Sequence, residues 1–137
     1  MRIASVLENQ KIEKRIAITP EIAKKYIALG FEIALAEKYG EHLGFSDSNY
    51  KELGVKIYNN ESEILKNSDV IIQLGLLSDE NLSSLKENQT LVGVFNPYLN
   101  KEKIENLSKK DINIFSLEML PRITRAQSMD ILSSQAN

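Results

Sequence analysis

The chain has 137 residues, the usual size of one domain and enough to bury a core. Hydrophobic residues make up 42% and charged residues 26%, and the net charge of -2 excludes a global attraction to nucleic acid or an anionic membrane. With no cysteine and one histidine, His42, disulfides, thiolate chemistry and a histidine-rich metal site are excluded, and no metal is expected. The opening MRIASVLENQ lacks the apolar run of a signal peptide, and no stretch approaches the length of a transmembrane helix, so an intracellular soluble domain is expected.

The elements follow from short apolar runs alternating with amphipathic ones. RIASVL (2–7) predicts a first strand. TPEIAKKYIALG (19–30) predicts a helix: Thr19 suits the N-cap, Pro20 the first turn and Gly30 the C-terminal cap, with Ile22, Tyr26 and Leu29 at helical spacing. FEIALA (31–36) predicts a second strand, SDSNYKELG (46–54) a short helix closed by Gly54, and VKIY (55–58) a third strand. ESEILKN (61–67) predicts a helix, DVIIQL (69–74) a strand, SDENLSSLKEN (78–88) a helix, TLVGVF (90–95) a strand, NKEKIENLSKK (100–110) a helix and INIFSLEM (112–119) a last strand. VIIQL and LVGVF are nearly continuous apolar runs, as in strands covered on both faces. This alternation predicts one α/β domain over 1–137: an open, mainly parallel sheet with helices on both faces, Rossmann-like or flavodoxin-like.

The glycine-rich dinucleotide turn G-x-G-x-x-G and the P-loop are both absent. Only Gly40 and Gly44 lie close together, in YGEHLGF, which reads as a loop. ENQKIEKRIAITP (8–20) follows the first strand, at the end of the sheet where open α/β folds bind ligands. Arg15 in this loop could clamp a carboxylate or phosphate, or form a surface ion pair with Glu13 or Glu8, the reading that spacing favours. His42 could titrate near neutrality, but a base needs a partner and none is indicated, so local hydrogen bonding is the better reading. At the C-terminal end, Thr124 and Gln127 match a capping box, and Asp130 would lie early in a final helix. Together Arg122, Arg125, Gln127 and Asp130 would surround one helix N-terminus, an arrangement able to hold phosphate and sugar hydroxyls.

PRITRAQSMDILSSQAN, from Pro121 to Asn137, closely resembles the segment of the proton-translocating NAD(P) transhydrogenase α subunit that carries the family's Arg-Gln-Asp loop. The opening MRIASVLENQKIEKRIAITPEIAKKYIALGFEIALAEKYGEHLGFSDSNYKELGV resembles the start of that family and of its relative alanine dehydrogenase, so the resemblance covers the whole chain. It implies the first of two α/β subdomains of the NAD(H)-binding component. The second subdomain, with the glycine-rich turn, would lie beyond Asn137, and the chain reads as an N-terminal piece of a longer subunit.

Residue by residue, the resemblance makes Arg122, Gln127 and Asp130 the loop's Arg, Gln and Asp, with Ser133 also near the nucleotide. It implies that Arg122, Arg125, Gln127, Asp130 and Ser133 bind cofactor, and that Gln127 and Asp130 serve the catalytic step. The implied reaction is hydride transfer from NADH to NADP+ coupled to proton translocation, with NAD(H) bound by this component and NADP(H) by a separate one. The implied partners are the rest of the α subunit and the NADP(H)-binding and membrane components. The implied location is cytoplasmic, peripheral to the inner membrane, with no activity expected of the fragment alone. Alanine dehydrogenase-like relatives carry an Arg in RVALTP, a Lys near position 73 and a His near position 96. Here Arg15 matches in RIAITP, but Gln73 and Asn96 do not, and Gln73 departs from many transhydrogenases as well. The alternatives are a catalytically silent α/β binding or assembly module and an amino-acid dehydrogenase N-terminal fragment.

Overall fold

The apolar runs become strands and the amphipathic runs helices in the computed structural model, which describes residues 1–95 and 99–117. In chain order these are β1 (Arg2–Ser5), α1 (Pro20–Ala28), β2 (Glu32–Ala36), α2 (Asp47–Glu52), β3 (Lys56–Tyr58), α3 (Glu61–Lys66), β4 (Val70–Ile72), α4 (Asp79–Ser83), β5 (Thr90–Gly93), α5 (Lys101–Lys109) and β6 (Asn113–Ser116). One 3-10 turn, Glu41–Leu43, lies in the loop expected around His42.

Local chemistry sets the helix starts. Thr19 Oγ1 accepts from the Ile22 N–H at 3.3 Å, with Pro20 in the first turn. Ser46, Asn60 and Ser78 cap α2, α3 and α4 in the same way, each satisfying a backbone donor that has no partner within the helix. At the end of α1 the chain reverses through Gly30 at φ +97°, a left-handed conformation that disfavours any side chain.

The six strands form one sheet in the order β3-β2-β1-β4-β5-β6, with every neighbouring pair parallel. This is the Rossmann order, not the flavodoxin one. Alternation along each strand splits the core in two. Ile3, Ile33 and Leu35 pack against Ile22 and Ala23 of α1 and Tyr50 of α2. Ala4, Ala34, Ile71 and Leu91 pack on the opposite face against Ile64 and Leu65 of α3, Leu82 of α4 and Leu107 of α5. Each fully buried Leu or Ile among them contributes about 1.5–3 kcal/mol. Val92 and Phe115 stand opposite each other across β5 and β6, and Phe115 is 60% exposed.

The helix expected over 78–88 is a shorter one. It ends at Ser83, and the Ser84 N–H turns back to the Asn81 carbonyl at 3.1 Å. Leaving the helix lets Leu85 reach the core and lets buried Gln89 bond the backbone of Leu65, Ser68 and Lys86. These tertiary bonds override helix propensity over the second half of the run. The end of the last expected strand, residues 118 and 119, lies outside the described residues.

Candidate functional site

The order of the strands creates a crevice. The chain leaves β1 towards α1 on one face and leaves β4 towards α4 on the other, so the two strands part at their carboxyl ends. In open α/β sheets this switch point is where ligands bind. The ladder between β1 and β4 stops at the pair Ala4 and Ile71. Beyond it the Gln73 side chain bridges the gap. The Val6 N–H donates to Gln73 Oε1 at 2.7 Å, and Gln73 Nε2 donates to the Val6 carbonyl at 3.1 Å. Oε1 also accepts from Ser5 Oγ at 2.9 Å, and Nε2 also donates to Glu8 Oε2 at 2.9 Å. All four hydrogen-bonding positions of this amide are thus used within the protein.

A second polar centre fixes the loop over the crevice. The Tyr39 hydroxyl accepts from the N–H groups of Ala17 at 3.0 Å and Ile18 at 3.1 Å. Ser5 has one proton, directed towards the Ile72 carbonyl and Gln73 Oε1, so Tyr39 donates to Ser5 Oγ at 2.8 Å. Burial pushes the Tyr39 phenol up to about 12, against the opposing pull of its Ser5 and backbone bonds. Tyr50 OH donates to the Ile18 carbonyl at 2.8 Å, so both polar groups of Ile18 end on buried tyrosines.

Glu8 is the charged group that meets the ends of both central strands. Its Oε2 accepts from the Leu74 N–H at 2.8 Å and its Oε1 from the Gly75 N–H at 3.0 Å. Among the described residues no cation pairs with it. Burial raises its pKa, the two backbone donors pull it down, and the nearby charge of Glu13 adds to the rise. Beside it lies a cavity of about 390 Å³, lined among the described residues by Glu8, Asn9, Glu61, Gln73, Ser78, Asn81 and Lys103, with Leu7, Leu76 and Leu77. Glu61 accepts from the Leu7 N–H at 3.0 Å and from Asn81 Nδ2 at 3.2 Å. Lys103 is held by Asp79 at 3.1 Å. The lining is therefore rich in acceptors and poor in available positive charge.

Arg15 forms the ion pair that spacing favoured. Its guanidinium grips both oxygens of Glu13, each at 2.8 Å, while its side chain stays 80% exposed. Hydrogen bonding from Arg15 holds the Glu13 carboxyl down at about 2. His42 is a local hydrogen-bonding group, as expected. Its Nε2 donates to the Lys14 carbonyl at 2.7 Å, and its Nδ1 accepts from Gln10 at 3.2 Å, which ties the 8–18 loop to the 3-10 turn.

Asn96, Arg122, Thr124, Arg125, Gln127, Asp130 and Ser133 lie outside the described residues, and so does the expected terminal helix. What sequence reasoning missed is the role of Glu8, considered only as a partner for Arg15, and of Ser5, Tyr39 and Gln73 around it. The only signals in the chain were a serine inside the apolar run RIASVL and a glutamine ending VIIQ.

The comparisons with known proteins agree with this architecture. Residues 6–137 match the family model described as Alanine dehydrogenase/PNT, N-terminal domain. The chain is 39% identical over 141 residues to the first part of NAD(P) transhydrogenase subunit alpha of Rickettsia prowazekii, covering 100% of this chain and 37% of that protein. It is 34% identical over 142 residues to the protein of the same name from Rhodospirillum rubrum, again covering 100% of this chain and 37% of the relative. This chain thus spans little more than a third of the length of these relatives. The crystal structure of transhydrogenase from Sinorhizobium meliloti superposes with a TM-score of 0.85 at 31% identity, over 99% of this chain and 40% of that one. An L-alanine dehydrogenase structure shares the fold, with a TM-score of 0.80 at 16% identity over 86% of this chain and 32% of the other. With a family model matched over nearly its whole length and a six-stranded parallel sheet in Rossmann order, the chain belongs to the alanine dehydrogenase/PNT N-terminal domain family.

Proposed function

We propose that this chain belongs to the NAD(H)-binding component of a proton-translocating NAD(P) transhydrogenase and forms one wall of the NADH cleft. The observation that carries the reading is the open switch-point crevice of a Rossmann-ordered sheet in a chain without its own glycine-rich turn. The full-chain likeness to the first part of transhydrogenase subunit alpha supports it.

The groups that line the crevice suit one end of the cofactor. Glu8 and Glu61 offer acceptors to sugar hydroxyls or to a carboxamide NH2. The only cation among the described lining residues, Lys103, shares its charge with Asp79 in an exposed ion pair, which weakens its pull on a pyrophosphate. The chain therefore fits the nicotinamide riboside end. The phosphate grip falls to a second, nucleotide-binding subdomain in the rest of the α subunit. Arg122, Arg125, Gln127, Asp130 and Ser133 would face the cofactor, with Gln127 bridging carboxamide or ribose groups and Asp130 accepting from a hydroxyl. NADH supplies the hydride, which passes to NADP+ held by a separate component. The residues of this chain orient the donor ring and need not move a proton.

No helix among the described residues is long and apolar enough to cross a membrane, and in this reading the domain sits on the cytoplasmic side, peripheral to the inner membrane beside the membrane components. The isolated chain, with half the cleft, is inactive and binds NADH no tighter than about millimolar, or roughly 4 kcal/mol. The test is hydride transfer between NADH and an NADP+ analogue, measured after assembly with the rest of the α subunit and the NADP(H)-binding component. Gln127→Ala and Asp130→Asn should slow transfer far more than they weaken NADH binding. Unchanged transfer with only a lowered melting temperature would mean that these residues cap a helix and do nothing more.

A further inference from the structure

Three of the roughly four acceptor positions of the Glu8 carboxylate are filled by Gln73 Nε2 and the N–H groups of Leu74 and Gly75. Oε2 takes two of these donors and Oε1 takes one, which leaves a lone pair on Oε1 beside the cavity that Glu8 lines. The neighbouring amide cannot serve a ligand, because Gln73 spends every donor and acceptor on Ser5, Val6 and Glu8. The backbone N–H groups of Leu74 and Gly75 stand where a crevice could offer donors to an anionic ligand, and the chain's own carboxylate already occupies them. Glu61, also in the lining, adds a second negative charge.

We propose that Glu8 is the specificity-determining acceptor of this crevice: its Oε1 binds a neutral hydrogen-bond donor, a sugar hydroxyl or a primary amide, and its charge bars carboxylate and phosphate groups from the switch point. This deepens the cofactor reading given above and rests on it. It also separates the site from one that must hold the carboxylate of an amino or 2-oxo acid.

The position of Gly75 supplies a clean variant. A Cβ built there meets only Glu8 Oε1, at 3.5 Å, an ordinary contact, so Gly75→Ala keeps the fold while crowding that oxygen with a methyl group. The experiment is an NMR titration of the 15N-labelled chain with dihydronicotinamide riboside, and in parallel with oxamate and with inorganic phosphate, each taken to about 20 mM, above the millimolar range expected of half a cleft. The riboside should shift the amides of Leu74 and Gly75, whereas oxamate and phosphate should leave them in place. Gly75→Ala should weaken the riboside response about tenfold or more, the usual worth of a hydrogen bond to a charged group. In Glu8→Gln, which removes the charge, oxamate should begin to shift the same amides. Shifts of Leu74 and Gly75 by oxamate or phosphate in the unaltered chain would overturn the assignment, as would an undiminished riboside response in Gly75→Ala. A riboside that moves other amides but not these two would overturn the role of Glu8 and leave the cofactor reading standing. A riboside that moves none would remove both.

Discussion

The side chain of Gln73 pairs with the backbone of Val6 as a neighbouring strand would, accepting from its N–H at 2.7 Å and donating to its carbonyl at 3.1 Å. It extends the β1–β4 ladder past the point where the two main chains separate. A buried backbone N–H without a partner is costly, and here a residue 67 positions away supplies one. Gln73→Leu puts an apolar side chain of comparable bulk in place of the amide and strips partners from Val6, Ser5 and Glu8. The expected loss is about 2–4 kcal/mol. That corresponds to a fall in melting temperature of roughly 10 °C. Thermal unfolding followed by circular dichroism is the check, and an unchanged midpoint would show that water replaces the amide.

Tyr39 and Tyr50 allow an internal comparison, because both hydroxyls are buried but they carry different loads. Tyr39 satisfies two backbone donors and Ser5, whereas Tyr50 donates one bond to Ile18. Tyr39→Phe should cost about 2–3 kcal/mol and Tyr50→Phe about 1 kcal/mol. Hydrogen exchange at the amides of Ala17 and Ile18 should accelerate only in the first variant. Equal losses in the two variants would contradict the view that Tyr39 anchors the loop over the crevice.

Gly93 is fixed by close approach. A Cβ built at this position of β5 would come within 2.0 Å of the Gln73 carbonyl oxygen and 2.5 Å of the Phe95 ring. Gly93→Ala therefore has to push β5 off β4 or displace a buried aromatic ring, at about 1–3 kcal/mol or more. Urea unfolding should show a lower midpoint. A midpoint equal to that of the unaltered chain would mean that the strands separate at little cost.

Acid should weaken the fold through its ion-paired carboxylates. Hydrogen bonds from Lys56 and Arg2 hold Glu32 down at about 2, from an ordinary 4.5. Its stabilising contribution is therefore complete above pH 4.5 and is lost as the pH falls towards 2. Glu13 behaves alike through Arg15. Both carboxylates are partly exposed, so the effect is modest and shrinks with added salt. Glu8 has the opposite sign: burial raises its folded pKa, so protonation favours the fold, and stability falls as the pH rises through that raised value. Unfolding midpoints measured from about pH 7 down to about pH 2 should show an acid loss that Glu32→Gln flattens. A slope that Glu32→Gln leaves unchanged would place the acid sensitivity elsewhere.

Local patterning in the chain settled the elements. Six apolar runs became six strands, and Thr19, Pro20 and Gly30 bounded α1, because hydrophobic period and capping act within a few residues of the chain. The same reading singled out the residues of the terminal segment, through their resemblance to a family. It could not yield the order of the strands, since periodicity says which face of a strand is apolar and nothing about which strand lies beside it. Contacts between distant segments separated the Rossmann order from the flavodoxin one, ended α4 at Ser83 so that Gln89 could reach Leu65 and Ser68, and engaged Glu8 with Gln73, Leu74 and Gly75 while Arg15 took its near neighbour Glu13. The crevice is decided in the same way. Glu8, Gln73 and Gly75 meet only because β1 and β4 lie side by side, and hydrogen bonds across 65 to 67 residues leave no periodic trace in the chain.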